Sequence, residues 1–510
     1  MQSGAMKLLL KSSLWIYLLI LLAPLLALYL LQGSAGEFDH SLYILARNNT
    51  ILLEIGVLIV TSLLGGFFSY LYCFYKYPFK KTLHALLLLP LAFPAYVIAF
   101  IYLGMLGPSS SFSLIGLPEI QGELWFLILV LSLALTPYVY FFSSIGLSYV
   151  SQSEVETEVI LGGGVWSFFR YNTLPKLLPF LISAQILVIF ESLSDFGAAS
   201  VINVPVMTTM IYKLWFDLFS FSGAVHLSLR YSGMILLVLV CELLFKNSTQ
   251  QKQMANRDPV RGTLIPPALR VLGLLLMGLY IIFAFIIPVF QIVLWNFMGG
   301  SWPHFIETLE STLKTIALGG AVGILVVLFS WMLLLLLRTK NESSKLWMIF
   351  STIGYSVPGS ILAVSAYAIL LWFYSSLGSF LLILGLIIAL SYKFLTVGMR
   401  PIGDAVDCLP QELIETSNIL KVSFFKRIKI FFYPYLRESC VVALLLVIIE
   451  VMKEMPLTLM LAPSGFQTLS IKIFNYTSEG EWEKAALPSL MLVVVGIISV
   501  LMLNIKRSRQ

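Results

Sequence analysis

Apolar runs long enough to cross a bilayer recur along the chain, separated by shorter polar stretches. A membrane-spanning helix needs about 20 apolar residues. The pattern predicts twelve such spans, at 12–31, 50–72, 82–106, 123–147, 177–203, 223–245, 271–294, 312–337, 346–374, 379–399, 438–461 and 485–505. The first follows Lys7 and Lys11 as a leader peptide would, but it is too long for a leader's apolar region and no A-x-A pattern follows, so it reads as a retained helix. Composition agrees. Hydrophobic residues make up 59% and charged residues 11% of the 510, against about 25% charged in soluble proteins. That excludes a soluble multidomain enzyme, a disordered chain and a collagen-like one. Cys73, Cys241, Cys408 and Cys440 lie far apart and form no CxxC, so no disulfide framework or zinc motif is expected.

The basic residues give an orientation, because Lys and Arg concentrate in loops on the cytoplasmic side. With the N-terminus inside, 24 of the 32 basic residues fall in inner loops or tails, including Lys76, Lys80, Lys81, Arg170, Lys176, Arg400 and the basic tail at 506–510. The outer loops carry Arg47, Lys213, Lys314, Lys472 and Lys484; Arg230, Lys393 and Lys453 fall in or near spans. Both termini are expected in the cytoplasm.

The chain also repeats. An offset of 259 sets Glu156-Thr157-Glu158 over Glu415-Thr416-Ser417, Pro175 over Pro434, Glu191 over Glu450 and Asp195 over Glu454. Nearby offsets pair Phe93-Pro94 with Val357-Pro358, Thr208 with Thr468 and Ile211 with Ile471. Six spans per copy predict parallel halves about a pseudo-two-fold axis along the membrane normal, the geometry of a transporter. The expected divisions are a first helix and outer loop at 1–48, a first core at 49–245, a basic linker at 246–270, a seventh helix and outer loop at 271–308, and a second core at 309–505.

Two long loops on the basic side carry the sharpest motif. The first runs Glu156-Thr157-Glu158, Gly162, Leu174-Pro175; the second runs Glu415-Thr416-Ser417, Lys421, Tyr433-Pro434. In the second, Leu413, Ile414, Ile419 and Leu420 alternate with Glu412, Glu415 and Asn418 as a short amphipathic helix. This pattern resembles the E-A-A-x3-G-x9-I-x-L-P loop of the inner-membrane permeases of bacterial ABC importers. Thr157 and Glu158 stand where alanines are usual, Asn172 and Phe431 at the Ile position, Tyr433 for the leucine and Lys421 for the glycine. The resemblance implies that Glu156, Gly162, Pro175, Glu415, Lys421 and Pro434 form coupling surfaces for two copies of a cytoplasmic ATPase. A plainer reading gives Glu156 and Glu415 only a stabilising role in the first turn of a short helix. No GxxxxGK[ST] loop occurs in the chain. ATP and Mg are therefore expected on the partner, and the chain is expected to be no enzyme and to bind no cofactor itself.

Charged residues inside spans face partners or cavities. Glu191 and Asp195, and again Glu450 and Glu454, are four apart and predicted to share a helix face. Asp195-Phe196-Gly197 and Glu454-Met455-Pro456 predict a break in each helix. On one reading these four carboxylates line a path and offer transient oxygen ligands to a hard cation such as ferric iron. On the other, Lys453 pairs with the acids across the halves and the set only closes a gate. The segment from Glu450 through Pro456 to Leu469 is similar to the K-E-L-P-x-T-L-L-L-R-P-x-G-F-x-T-L segment of ferric-iron permeases, with Met455 for a leucine and Ala462 for an arginine. Glu191–Gly197 and Thr208–Tyr212 match their first-half segments. The resemblance implies a fused two-half, all-α importer permease carrying ferric iron from a periplasmic binding protein across the bacterial inner membrane, with no nucleic acid involved. Thiamine or polyamine permeases of the same architecture and an ion-coupled secondary transporter remain alternatives. His40, His84, His226 and His304 show no cluster spacing, and His226 with Arg230 is read as sitting at the membrane interface.

Overall fold

The computed structural model describes residues 26, 28–30, 40–75, 77, 79–106, 121–246, 267–298, 304–339, 351–373, 378–410, 412, 430 and 433–507. Among them every regular element is helical. In chain order they are α1 (His40–Phe74), α2 (Lys80–Leu88), α3 (Ala95–Leu106), α4 (Leu124–Leu147), α5 (Gln152–Ile160), α6 (Leu174–Ser194), α7 (Gly197–Ile202), α8 (Met207–Tyr212) and α9 (Phe221–Lys246). Then come α10 (Pro267–Ile281), α11 (Ile287–Phe297), α12 (Phe305–Thr339), α13 (Gly359–Phe373), α14 (Ser379–Asp407), α15 (Tyr433–Lys453), α16 (Pro456–Leu461), α17 (Leu469–Ser478) and α18 (Trp482–Arg507). This is an all-α polytopic membrane protein. Each predicted span from the second to the twelfth carries helix, and the first lies almost wholly outside the described residues. Among the described residues, seven helices are long and apolar enough to cross a membrane, or eight when the bent α2–α3 pair counts as one.

Proline sets the interruptions. The chain bends by 88° between Lys80–Ala92 and Ala95–Leu106. Pro94 lacks an N–H, and a residue before proline is pushed out of the helical region; Phe93 accordingly sits at φ −91°, ψ 124°. The same interruption recurs at Val357-Pro358, between helical residues 351–356 and α13. Five-residue π turns at Phe169–Thr173 and Ile282–Ile286 lead into α6 and join α10 to α11.

The described chain forms two compact units, and neither is a simple sequence half. The first comprises Asp39–Met210, Met234–Phe305 and the residues from Ile473 onward; the second includes Ile211–Gly233 and Ile306–Lys472. In the first unit Tyr280 donates to the Leu133 carbonyl at 2.8 Å and Tyr102 to that of Phe283 at 2.5 Å, which ties α10–α11 to α4 and α3. From the end of the chain, Phe474 packs on Phe196 (ring centroids 6.0 Å apart). Gly496 of α18 also lies so close to Ala92 that a Cβ there would stand 2.5 Å from the Ala92 carbonyl oxygen. In the second unit Trp215 and Phe221 close on Tyr367 of α13, at 4.9 and 5.4 Å. Each unit thus takes in a segment from the opposite repeat.

Candidate functional site

Two places carry the polar chemistry: the break in each acid-bearing helix, and the loop between α4 and α6. Both expected breaks are present. In the first unit α6 ends at Ser194, and Asp195 turns to φ −68°, ψ 124°. Its Oδ1 then accepts the N–H groups of Ala198 and Ala199 at 3.0 and 3.2 Å, capping α7. Its carbonyl accepts Thr208 Oγ1 at 2.7 Å. One step further, the Met207 N–H donates to Thr50 Oγ1 on α1 at 3.0 Å. Backbone groups freed by a break inside an apolar span need such partners, because no water is there to take them.

The second unit repeats the device. Glu454 Oε1 accepts the Leu457 N–H at 3.1 Å and Oε2 that of Thr458 at 3.2 Å. Ser470 Oγ donates to the Glu454 carbonyl at 2.9 Å, and the Leu469 N–H to Thr315 Oγ1 on α12 at 2.9 Å. These bonds correct the downstream register of the repeat. Met207 corresponds to Leu469 and Thr208 to Ser470, an offset of 262. The pairing of Thr208 with Thr468 misses this because the turn after α16 is longer than the one after α7. The last helical residue before each break is Ser194 or Lys453, so Asp195 and Glu454 use their carboxylates on the helix that follows. Pro456 occupies the first turn of α16, where no N–H is needed. Glu191, Glu450 and Lys453 are half-buried at the ends of α6 and α15.

Two charged residues of this region stood in predicted spans without an assigned role. Lys393 of α14 is buried and its Nζ lies 3.3 Å from Glu454 Oε1, the two side chains being 8% and 3% exposed. The buried ion pair of Glu454 is with Lys393, from another helix, a partner that neither reading of the acids named. Glu54 of α1 accepts Ser192 Oγ at 2.6 Å. Nearer the basic-loop end, Gln185 donates to Ser62 Oγ at 2.6 Å, extending the polar seam between α1 and α6. The signal for both was available: a charge in an apolar span is costly enough to demand a partner. Among the described residues no group of three or more His, Cys, Asp or Glu side chains is gathered as a metal site.

The loop between α4 and α6 is a built structure. Ser151 opens α5, and Glu154 reaches back to the Ser151 N–H at 3.1 Å, the reciprocal half of a capping box. Glu154, in the first turn, thus stabilises the start of the helix, the role the plainer reading gave to Glu156. Lys176 pairs with Glu154 and donates to the Tyr149 carbonyl at 3.2 Å. Asn172 donates to Glu158 Oε2 at 3.0 Å. Gly162 holds φ +72°, a conformation that suits glycine, and turns the chain out of α5. Pro175 sits in the first turn of α6.

The loop has two faces. Val150, Val155, Phe168 and Leu177 enter one apolar cluster with Leu71, Phe74, Tyr75 and Leu147 at the ends of α1 and α4. On the other side Glu156 is exposed and accepts a bond from Gln152 at 3.0 Å. Around it Ile160, Leu161, Trp166 and Tyr171 are 70–83% exposed. Exposed apolar residues grouped this way mark an interaction surface. Of the second loop, Pro434 is exposed at the start of α15, while Glu415 and Lys421 lie outside the described residues.

Residues 56–249, from α1 to just past α9 and including the loop and the first break, match the family of binding-protein-dependent transport system inner membrane components. That stretch carries the permease domain. It is similar to the Fe(3+)-transport system permease protein FbpB 2 of Haemophilus influenzae, 25% identical over 96% of this chain and 98% of that one. It is also similar to the ferric transport system permease protein FbpB of Actinobacillus pleuropneumoniae, 21% identical over 72% of this chain and 56% of that one. A shorter stretch, 26% of the permease, is 28% identical to a putative 2-aminoethylphosphonate transport system permease protein PhnV of Salmonella paratyphi A, of which it covers 47%. The permease is thus the membrane component of an ABC transporter of the binding-protein-dependent kind.

Proposed function

We propose that this permease supplies both halves of the translocation path of a type I ABC importer and that its cargo is ferric iron. A periplasmic binding protein delivers the cargo on the outer side. Two copies of a separate ATPase, which hold ATP and Mg, dock on the basic side, one at the loop around Glu156 and one at the loop around Glu415. The basic loops face the cytoplasm, as do both termini.

The observation that carries this reading is the construction of the first loop. An apolar, outward face at Ile160, Leu161 and Trp166 is joined through α5 to residues buried at the ends of α1 and α4. A push on such a loop moves the helices instead of bending the loop, because its polar groups and its turn are fixed at both ends. Loop displacement is then passed to α6, which begins at Leu174 within the same unit and ends at the break beside Asp195. The iron assignment rests on the two ferric permeases above and on the acids beside the breaks. Glu191 and Glu450 offer oxygen ligands of the hard kind that iron(III) accepts, and any contact must be weak enough to release it.

The test is copurification followed by uptake. Tagged wild-type chain is expected to carry its ATPase through purification, and the double variant Glu156→Arg plus Glu415→Arg to lose it while still inserting in the membrane. Vesicles holding the assembled complex are expected to accumulate iron only with ATP and an iron-loaded binding protein. An ATPase retained by the double variant removes the docking assignment. Uptake of another cargo in place of iron removes the substrate assignment alone.

A further inference from the structure

We infer that Lys393 is a positioning residue for transport. It fastens the break in the second repeat to α14, the helix that leads into the second docking loop. The inference rests on the permease reading but not on the identity of the cargo.

The two units perform the same capping with different means. Asp195 caps α7 through Ala198 and Ala199 N–H, and the first repeat's α4 contains no Lys, Arg or His at all. A cap at this break therefore needs no cation. In the second unit Glu454 caps α16 in the same way and also accepts Lys393 from the middle of α14. Stability alone is a poor reason for the lysine, since a buried ion pair in an apolar setting gains little over well-packed apolar residues. What the pair adds is a connection. α14 ends at Asp407, directly before the loop that contains Glu415.

The first unit fastens the corresponding region elsewhere. There the polar tie runs from Ser192 to Glu54 on α1, a helix whose end packs against the docking loop but does not continue into it. A third helix also closes on the pair in the second unit. Gly359, the first residue of α13, lies where an added methyl would overlap Glu454 Oε1 and come within 3.2 Å of Lys393 Nζ. Lys393 thus joins the break to the helix that the loop would move, and Gly359 leaves room for that junction.

The test follows motion of the break in the assembled complex with its ATPase. Leu459→Cys in α16 is labelled with a maleimide, the labelling of the native cysteines being subtracted with the chain that keeps Leu459, first without nucleotide and then with ATP trapped by vanadate. The otherwise wild-type chain is expected to change its labelling rate on trapping. Lys393→Met and Gly359→Ala are expected to lose that change while retaining the ATPase, and Lys393→Arg to keep it. Where Lys393→Met fails to assemble, Lys393→Met with Glu454→Gln, which leaves no unpaired charge, takes its place with the same expected loss. A Lys393→Met chain that keeps the wild-type change overturns the inference, as does a wild-type chain whose break does not respond to nucleotide. Failure of iron-loaded binding protein to stimulate hydrolysis by the wild-type complex would count against the cargo alone.

Discussion

Single side chains decide how a helix is broken inside an apolar span. Asp195 and Glu454 each replace the backbone partners that α7 and α16 lack at their first turns. Thr50 and Thr315 do the same from neighbouring helices for the Met207 and Leu469 N–H groups. Replacing either threonine by valine keeps the shape and leaves a buried N–H without a partner, at a cost of about 1–3 kcal/mol. Thr50→Val and Thr315→Val are each expected to lower the temperature at which the detergent-solubilised permease aggregates. At this scale the sequence was partly legible. The acids at the breaks and the breaks themselves followed from charge and from the turn residues at Gly197 and Pro456. Lys393 was visible only as a charge in a span, because a partner 61 residues along the chain is set by packing and leaves no local pattern. Likewise His84, with no cluster spacing, finds Tyr140 Oη at 2.6 Å, 56 residues along the chain, and stacks on Tyr72 of the preceding helix.

Among the elements, α5 and the turns that flank it combine a closed polar circuit with an open apolar face. The circuit joins Ser151, Glu154, Lys176 and the Tyr149 carbonyl. Losing a helix cap costs about 0.5–2 kcal/mol, so Glu154→Gln with Ser151→Ala should loosen the loop without unfolding the bundle. Limited proteolysis of inside-out vesicles is expected to cut between residues 148 and 176 faster in this variant than in wild type, with the rest of the digestion pattern unchanged. The motif spacing gave the location of this loop and its amphipathic character. It did not single out Glu154, the residue three after Ser151 and two before Glu156, which bonds back to the helix start. Proline placement was the most legible element-level signal. Phe93-Pro94 and Val357-Pro358 interrupt their spans at matching points in the two repeats.

Considered whole, the molecule has a repeat that sequence periodicity reveals and a division that it does not. The units change over between Met210 and Ile211 in one repeat and between Lys472 and Ile473 in the other. Those points are 262 residues apart, the offset set independently by the Thr50 and Thr315 bonds. Offsets report which residues are equivalent; they do not report which copy a segment packs with, because both copies present similar apolar surfaces. A cut in the linker, at about residue 260, therefore leaves each fragment without a part of its own unit. Fragments expressed singly are expected to be degraded in the membrane. Expressed together they should copurify and recover transport, with blue native electrophoresis reading the reassembly.

The matched changeover also bears on ancestry. A forerunner carrying one repeat would have held only part of either unit, so it could not have worked as a solitary molecule. The exchanged segments are Ile211–Gly233 of the first repeat and the residues from Ile473 onward of the second, so two copies would have had to trade them before any gene joined them. Fusion then recorded in one polypeptide a partnership that already existed, and it left each copy free to acquire its own fastening, Glu54 in one and Lys393 in the other.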